Sequence, residues 1–178
     1  MPRIPYPSLK RTDNYTVEVI EELKEKLGYV PHFHLAVGNS PGVLGAVVAL
    51  EKALRRGTLS SRYRELAALA VARVLGCRYA TVHHAALARE AGADERQVDE
   101  IPRFEESDSF DAREKSVLRY ATELARNARP EDRTFLGVAA FLSPGELVEL
   151  TAAIGYVLLE ARVCETFGIE IEDAMKEA

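Results

Sequence analysis

Cysteine is scarce in this sequence and tryptophan is absent: the 178 residues include only two cysteines, Cys77 and Cys164. Two thiols cannot build the framework of disulfide bonds that stabilises many small secreted proteins. A chain with so few cysteines is typical of a reducing compartment. We therefore expect a cytoplasmic protein without structural disulfide bonds.

Long apolar runs are also missing. The longest, near 65–75 and 151–159, fall short of the roughly 20 residues that a membrane-spanning helix needs. The first residues, MPRIPYPSLKRTDN, lack the apolar segment of a secretory signal peptide. We therefore expect no membrane partner.

An excess of basic residues is the third absence. The chain has 23 Lys and Arg against 28 Asp and Glu, which gives a formal net charge of -5. A protein that binds the phosphate backbone of a nucleic acid needs a basic surface instead. We therefore expect no nucleic-acid partner.

The residues that are abundant favour helices. Alanine, leucine, glutamate and arginine dominate, and no segment shows the alternation of a strand or an Asn-Gly hairpin signal. We predict an all-α protein with a single domain over residues 1–178, which could divide into two halves connected near 103–110. From capping residues and terminal glycines, helices are predicted over about 14–27, part of 28–42, 41–57, 61–75, 77–91, 94–102, 111–128, 132–142 and 144–167.

The stretch 65–84, ELAALAVARVLGCRYATVHH, contains the most informative residues. Cys77 begins a predicted helix, and His84 follows seven residues later, so the two share one face. Glu65 lies on the preceding helix, and a helical hairpin around Gly76 would bring it to a depth similar to that of His84. A helix N-terminus stabilises a thiolate, and a neighbouring imidazole and carboxylate can relay a proton. These three residues are the candidate catalytic groups.

Structural roles for the same residues remain open. A buried cysteine commonly packs as a small apolar residue, and this is the role we expect for Cys164 in the long terminal helix. His83 lies six residues after Cys77 and faces a different side, where it would contact substrate, water or a neighbouring subunit. The spacing of the Cys, His and Glu residues fits no standard zinc pattern, so we predict no metal and no other cofactor.

The motif Glu65-x11-Cys77-Arg78-Tyr79-Ala80-x-x-x-His84 resembles that of the carboxymuconolactone decarboxylase family, which includes the alkyl hydroperoxidase D proteins. The family pattern is Glu-x11-Cys-x-Tyr-Cys-x-x-x-His. The preceding segment LGYVPHFHLAVGNSPGVLGAVVAL and the ending GIEIED are similar to the peroxidase-related branch of that family. The resemblance therefore covers most of the chain.

The resemblance implies an antiparallel helical bundle that assembles as a homo-oligomer, either a trimer, a hexamer or a dimer. In the hydroperoxidase members two cysteines cycle between dithiol and disulfide, while the glutamate and histidine relay protons. Carried over, this makes Cys77 the nucleophile, Glu65 and His84 the relay, and Tyr79 a pocket residue that contacts substrate, with His83 beside it. The second motif cysteine is replaced by Ala80, so a sulfenic acid on Cys77 has no neighbouring thiol in the motif.

Three functional hypotheses follow. The first is a single-thiol peroxidase that reduces organic hydroperoxides at Cys77 and depends on an external thiol, or on Cys164 if the fold brings it close. The second is an acid/base enzyme that acts on a small organic acid through His84 or Glu65, as in lactone-decarboxylating relatives. The third is a catalytically decayed oligomeric protein that binds a small ligand or a partner.

Overall fold

Helices form nearly all of the regular structure in the computed structural model, which describes residues 2–10 and 12–176. The predicted domain also includes Met1, Arg11, Glu177 and Ala178, which lie outside the described residues. Within the described part no residue is in a β-strand, so the predicted all-α class is confirmed. The α-helices are α1 Asn14–Leu27, α2 His32–Val37, α3 Pro41–Arg56, α4 Ser61–Val74, α5 Arg78–Glu90, α6 Glu95–Glu100, α7 Ala112–Arg126, α8 Asp132–Ala139 and α9 Pro144–Phe167. Short 3₁₀ helices span Ile101–Arg103 and Asp173–Met175.

Local capping explains where the helices begin and end. The Asp13 side chain accepts a hydrogen bond from the Thr16 backbone N–H at 3.0 Å, which satisfies one of the free amides at the start of α1. At the other ends of α1 and α9, Gly28 and Gly168 adopt left-handed conformations with φ of 77° and 62°. Reciprocal capping boxes begin α6, α7 and α9.

One helix ends earlier than the sequence predicts. Helix α8 stops at Ala139, whereas the pattern places its end near residue 142. The N–H groups of Phe141 and Leu142 both bond to the Val138 carbonyl, at 3.2 and 3.0 Å, so the chain tightens into a turn instead of continuing. This turn buries Leu142 and leads directly into the Ser143 cap of α9.

Helix α4 is the centre of the bundle. All residues from Leu66 to Ala72 are at most 2% exposed, because this run has no polar side chain. A helix that is apolar all round must be covered on every side, and α5, α7 and α9 pack against it. Glu65 begins the buried part of α4, so it faces these neighbouring helices rather than solvent.

The connection near 103–110 packs into the molecule. Phe104 and Phe110 are buried, and the Glu100 carboxylate accepts hydrogen bonds from the hydroxyls of Ser107 and Ser109. Buried residues before and after this segment form one hydrophobic core. None of the described helices combines the length and the apolar character required to cross a membrane.

Candidate active site

His84 lies between two buried carboxylates that come from different helices. Its Nδ1 is 3.1 Å from Glu65 Oε2 on α4, and its Nε2 is 3.2 Å from Glu160 Oε2 on α9. The exposed fractions of Glu65, His84 and Glu160 are 8%, 7% and 6%. The hairpin of α4 and α5 therefore does bring Glu65 to His84, as the spacing predicts, and α9 adds a second carboxylate.

Both carboxylates favour the charged form of the imidazole. Burial alone would lower the pKa of His84, but the hydrogen bonds and negative charges of Glu160 and Glu65 outweigh it and raise the pKa to about 10. Burial likewise acts to raise the pKa of Glu65, yet His84 and the nearby Arg64 guanidinium hold that pKa below its ordinary value. At neutral pH this cluster is an imidazolium held between carboxylates.

A cavity of about 650 Å³ opens onto this cluster. Residues of α1, α3, α4, α5 and α9 line it, and Glu65, His84 and Glu160 are among them. Glu51 and Tyr156 also line it, and the Tyr156 hydroxyl donates a hydrogen bond to Glu51 Oε1. A small organic molecule fits a space of this size, which is within the usual range for ligand pockets.

Cys77 occupies the N-cap position of α5 and is fully buried. The Cys164 thiol, in the last turn of α9, is the neighbour with the largest influence on Cys77 and lowers the pKa of its thiol. Burial opposes this shift, and the backbone N–H of Ala80 acts in the same direction as Cys164. The interaction with Cys77, together with burial, raises the pKa of Cys164.

The structure therefore divides the three predicted catalytic residues into two groups. Glu65 and His84 share the cavity, whereas the cavity lining among the described residues includes neither Cys77 nor Cys164. Cys77 is surrounded instead by Cys164, the Ala80 amide and the exposed carboxylate of Glu165. The two groups are linked through α9, since Glu160 and Cys164 are one helical turn apart.

Tyr79 and His83, the predicted substrate-binding residues, form a third group with Glu172 of the C-terminal segment. Their rings stack with centroids 4.4 Å apart, and both donate hydrogen bonds to the Glu172 carboxylate, at 2.7 Å from the Tyr79 hydroxyl and 2.8 Å from His83 Nε2. Glu172 also accepts the His32 backbone N–H. Burial would raise the pKa of Glu172, but these donors lower it to about 2. Tyr79 and His83 line the cavity, so they remain candidates for contact with substrate.

The motif residues lie inside the part of the chain that matches a family model. Residues 41–123 match the model of the carboxymuconolactone decarboxylase family. This part of the chain, just under half of its length, is therefore similar to that family. A search of curated proteins finds no significant match.

Several solved structures have a similar fold. One is an uncharacterised peroxidase-related protein with an alkylhydroperoxidase AhpD core from Ralstonia eutropha, at a TM-score of 0.87 and 22% identity over 98% of this chain and 94% of that one. Another peroxidase-related protein, from a Silicibacter species, has a TM-score of 0.86 and 21% identity over 98% and 93% of the two chains. The debrominase Bmp8 has a TM-score of 0.79 and 20% identity over 92% and 89%. Likeness at these identities shows the carboxymuconolactone decarboxylase fold and leaves the reaction open.

Sequence reasoning missed the two carboxylates that complete the site, Glu160 and Glu172. Glu160 is 76 residues from His84 along the chain, so no local spacing connects them. One signal was present: Glu160 is an acidic residue on the buried side of a long, largely apolar helix, and such a residue needs a partner. Glu172 lies in the ending GIEIED, and no local pattern there indicates a hydrogen-bond partner.

No metal site emerges from these clusters. In residues 2–10 and 12–176, no group of three or more His, Cys, Asp and Glu side chains is arranged to hold a metal ion. The hydrogen bonds described above already engage both ring nitrogens of His84. The expectation that the protein needs no metal or other cofactor stays a prediction.

Proposed function

We propose that this protein is a member of the carboxymuconolactone decarboxylase family and acts as a thiol peroxidase that reduces organic hydroperoxides at Cys77. One observation carries the proposal: Cys77 lies at the N-terminus of α5, and the neighbouring Cys164 thiol lowers its pKa. Both features stabilise the thiolate, which is the nucleophilic form of cysteine. The peroxidase-related names of two structures with this fold are consistent with the proposal.

The chemical step requires only the thiolate, the hydroperoxide and one proton. The Cys77 thiolate attacks the terminal oxygen of the hydroperoxide, a sulfur–oxygen bond forms, and the oxygen–oxygen bond breaks. Cys77 is oxidised to a sulfenic acid, and the substrate leaves as an alcohol after it takes up a proton. The sulfenic acid then returns to the thiol through an external thiol reductant.

His84 holds the proton that such a reaction needs near the cavity. It is charged at neutral pH, and its two carboxylate partners are the groups that can return a proton to it. Glu160 lies one turn before Cys164 on α9, so the imidazolium and the thiols are joined by neighbouring side chains of a single helix. We assign His84, Glu65 and Glu160 to proton supply and Cys77 to nucleophilic attack.

A second candidate function is favoured by the cavity itself. Its lining contains the His84 cluster but, among the described residues, no thiol, which suits acid/base chemistry on a small organic acid or lactone. A debrominase with this fold also shows that the architecture serves more than one reaction. In this alternative Cys77 would have a structural role, and turnover would depend on Glu160 and His84.

The two candidates are separated by one pair of variants. We expect the wild type to consume cumene hydroperoxide with dithiothreitol as reductant, and Cys77→Ser to lose this activity while it keeps Cys164 as an internal control for unspecific thiol oxidation. A Cys77 thiol that stays reduced in the folded protein under excess hydroperoxide would contradict the peroxidase proposal. Deuterium uptake from heavy water into small lactones and keto acids, retained in Cys77→Ser and lost in Glu160→Gln, would establish the alternative.

A further inference from the structure

Cys77 and Cys164 form a pair of thiols that the family motif does not contain. They lie on different helices, at the first residue before α5 and in the last turn of α9, and their exposed fractions are 0% and 2%. The two thiols are close enough that each shifts the pKa of the other. The position that follows Cys77 by three residues is Ala80, which is itself fully buried and carries no reactive group.

The meeting of the two thiols follows from the way α5 packs on α9. The hydrogen bond of His84 with Glu160 fixes the middle of α5 against α9. From there the chain runs back along α5 to Cys77 and forward along α9 to Cys164, as expected for antiparallel neighbours. The same packing that completes the His84 cluster therefore places both cysteines toward one end of the contact between α5 and α9.

Backbone hydrogen bonds hold both cysteines in place. The Cys77 N–H donates to the Ala72 carbonyl at 3.1 Å, across the turn between α4 and α5. The Cys164 carbonyl accepts the Ile169 N–H at 2.9 Å and also the Gly168 N–H, which closes the end of α9. A disulfide bond of about 2.05 Å between these two buried neighbours would join the beginning of α5 to the end of α9.

We propose that Cys164 is the resolving thiol of this protein and closes an intramolecular disulfide bond with Cys77 between the beginning of α5 and the end of α9. The inference rests on the peroxidatic role proposed above for Cys77. The positions of the two residues order the roles, because Cys77 lies at the N-terminus of α5, which stabilises a thiolate, whereas Cys164 lies at the C-terminal end of α9. The pair thereby replaces the thiol that is missing at Ala80.

The reaction balances without a further oxidant. Hydroperoxide oxidises Cys77 to a sulfenic acid and is itself reduced to an alcohol. The Cys164 sulfur then attacks the sulfenic sulfur, a sulfur–sulfur bond forms, and the hydroxyl leaves as water with the Cys164 proton. An external dithiol returns both residues to thiols and becomes a disulfide itself.

The test is peptide mapping of the full chain after oxidation. Trypsin cleaves after Arg73, Arg78, Arg162 and Lys176, so the two thiols fall in separate peptides, 74–78 and 163–176. After a stoichiometric amount of cumene hydroperoxide, alkylation of free thiols and non-reducing digestion, we expect these peptides to be linked and to separate on reduction. In Cys164→Ser we expect no link, and dimedone, a probe of sulfenic acids, should instead label Cys77.

The outcomes separate this inference from the proposed function. If Cys77 of the wild type accumulates as sulfenic or sulfinic acid as fast as in Cys164→Ser and no linked peptide forms, Cys164 does not resolve it, although the peroxidase function stands. A parallel sample treated with diamide, which oxidises thiols without hydroperoxide chemistry, isolates the second step. A link formed by diamide but not by hydroperoxide supports the thiol pair and contradicts the peroxidase function.

Discussion

The two ends of the contact between α5 and α9 carry opposite kinds of chemistry. At one end His84 is a buried cation between two carboxylates and faces the cavity. At the other end two thiols meet away from the cavity lining, and the nearby carboxylate, that of Glu165, belongs to an exposed residue. Ion pairs hold the His84 end together, so the loss of one charged residue should destabilise it. The two cysteines instead pack as part of the apolar core.

This difference indicates which parts of the site stabilise the fold and which parts only react. A buried ion cluster contributes little net stability when complete, but it is strongly destabilising when one member is removed. A small buried thiol can be replaced by serine or alanine at a lower cost, because no charge is left behind. Substitution of His84 should therefore mainly change the free energy of unfolding, and substitution of Cys77 should mainly change the reaction with hydroperoxide.

The largest effect is expected from His84→Ala. The substitution removes the cation between two buried carboxylates and leaves only Arg64 beside Glu65, which should lower the free energy of unfolding by about 3–5 kcal/mol. The matched control is His83→Ala on the same helix, because Glu172 would keep its bonds from Tyr79 and the His32 amide, and we expect a loss of about 1 kcal/mol there. Urea denaturation measures both, and equal losses would show that the His84 cluster has no special role in stability.

How much of this could be predicted from the sequence depends on the range of each interaction. Helix ends at Gly28 and Gly168 and the capping boxes were predictable, because a cap involves residues within four positions of each other. The pairing of Glu65 with His84 was also predictable, since only one short turn separates their helices. The family resemblance then supplied the all-α fold over most of the chain.

The contacts of α9 could not be predicted in the same way. Cys164 is buried, as expected, but its place beside Cys77 depends on the rotation of α9 about its own axis, which single-sequence spacing does not define. The same rotation determines that Glu160 faces His84. The sequence therefore did not reveal how α9 packs against α5. That packing determines both the thiol pair and the His84 cluster.

The pH dependence of the free energy of unfolding is a smaller effect, and it should distinguish the His84 end of the contact from the thiol end. The pKa of His84 is raised to about 10 in the folded protein, against about 6.5 for an exposed histidine. Its contribution to stability is therefore complete below about pH 6.5, and it declines as the pH rises and is lost through about pH 10, with a slope of at most about 1.4 kcal/mol per pH unit.

Urea midpoints between neutral and alkaline pH test this expectation. We expect the wild type to lose stability over that interval more steeply than His84→Gln, in which the titrating group is absent. Cys77→Ser serves as the control for the thiol end and should keep the steep wild-type dependence. Parallel curves for the wild type and His84→Gln would mean that the imidazole is not held as a cation.

The smallest expected effect concerns the charge of the thiol end alone. The Glu165 carboxylate opposes ionisation of the Cys77 thiol, so Glu165→Gln should lower the pKa of Cys77. Because Glu165 is exposed, its interaction is worth only about 0.2–1 kcal/mol, which corresponds to a thiolate population about 1.4- to 5-fold larger.

The thiolate absorbance followed against pH in a Cys164→Ser background measures this change for Cys77 without interference from the second thiol. Glu160→Gln in the same background is the matched control. It should lower the pKa of His84, seen by NMR titration, and leave the Cys77 titration in place, because Glu160 is among the main influences on His84 and Cys164 but not among those on Cys77. If Glu160→Gln shifts the Cys77 titration as much as Glu165→Gln does, the two ends of the contact are electrostatically one site, and proton supply and nucleophilic attack cannot be assigned to separate groups.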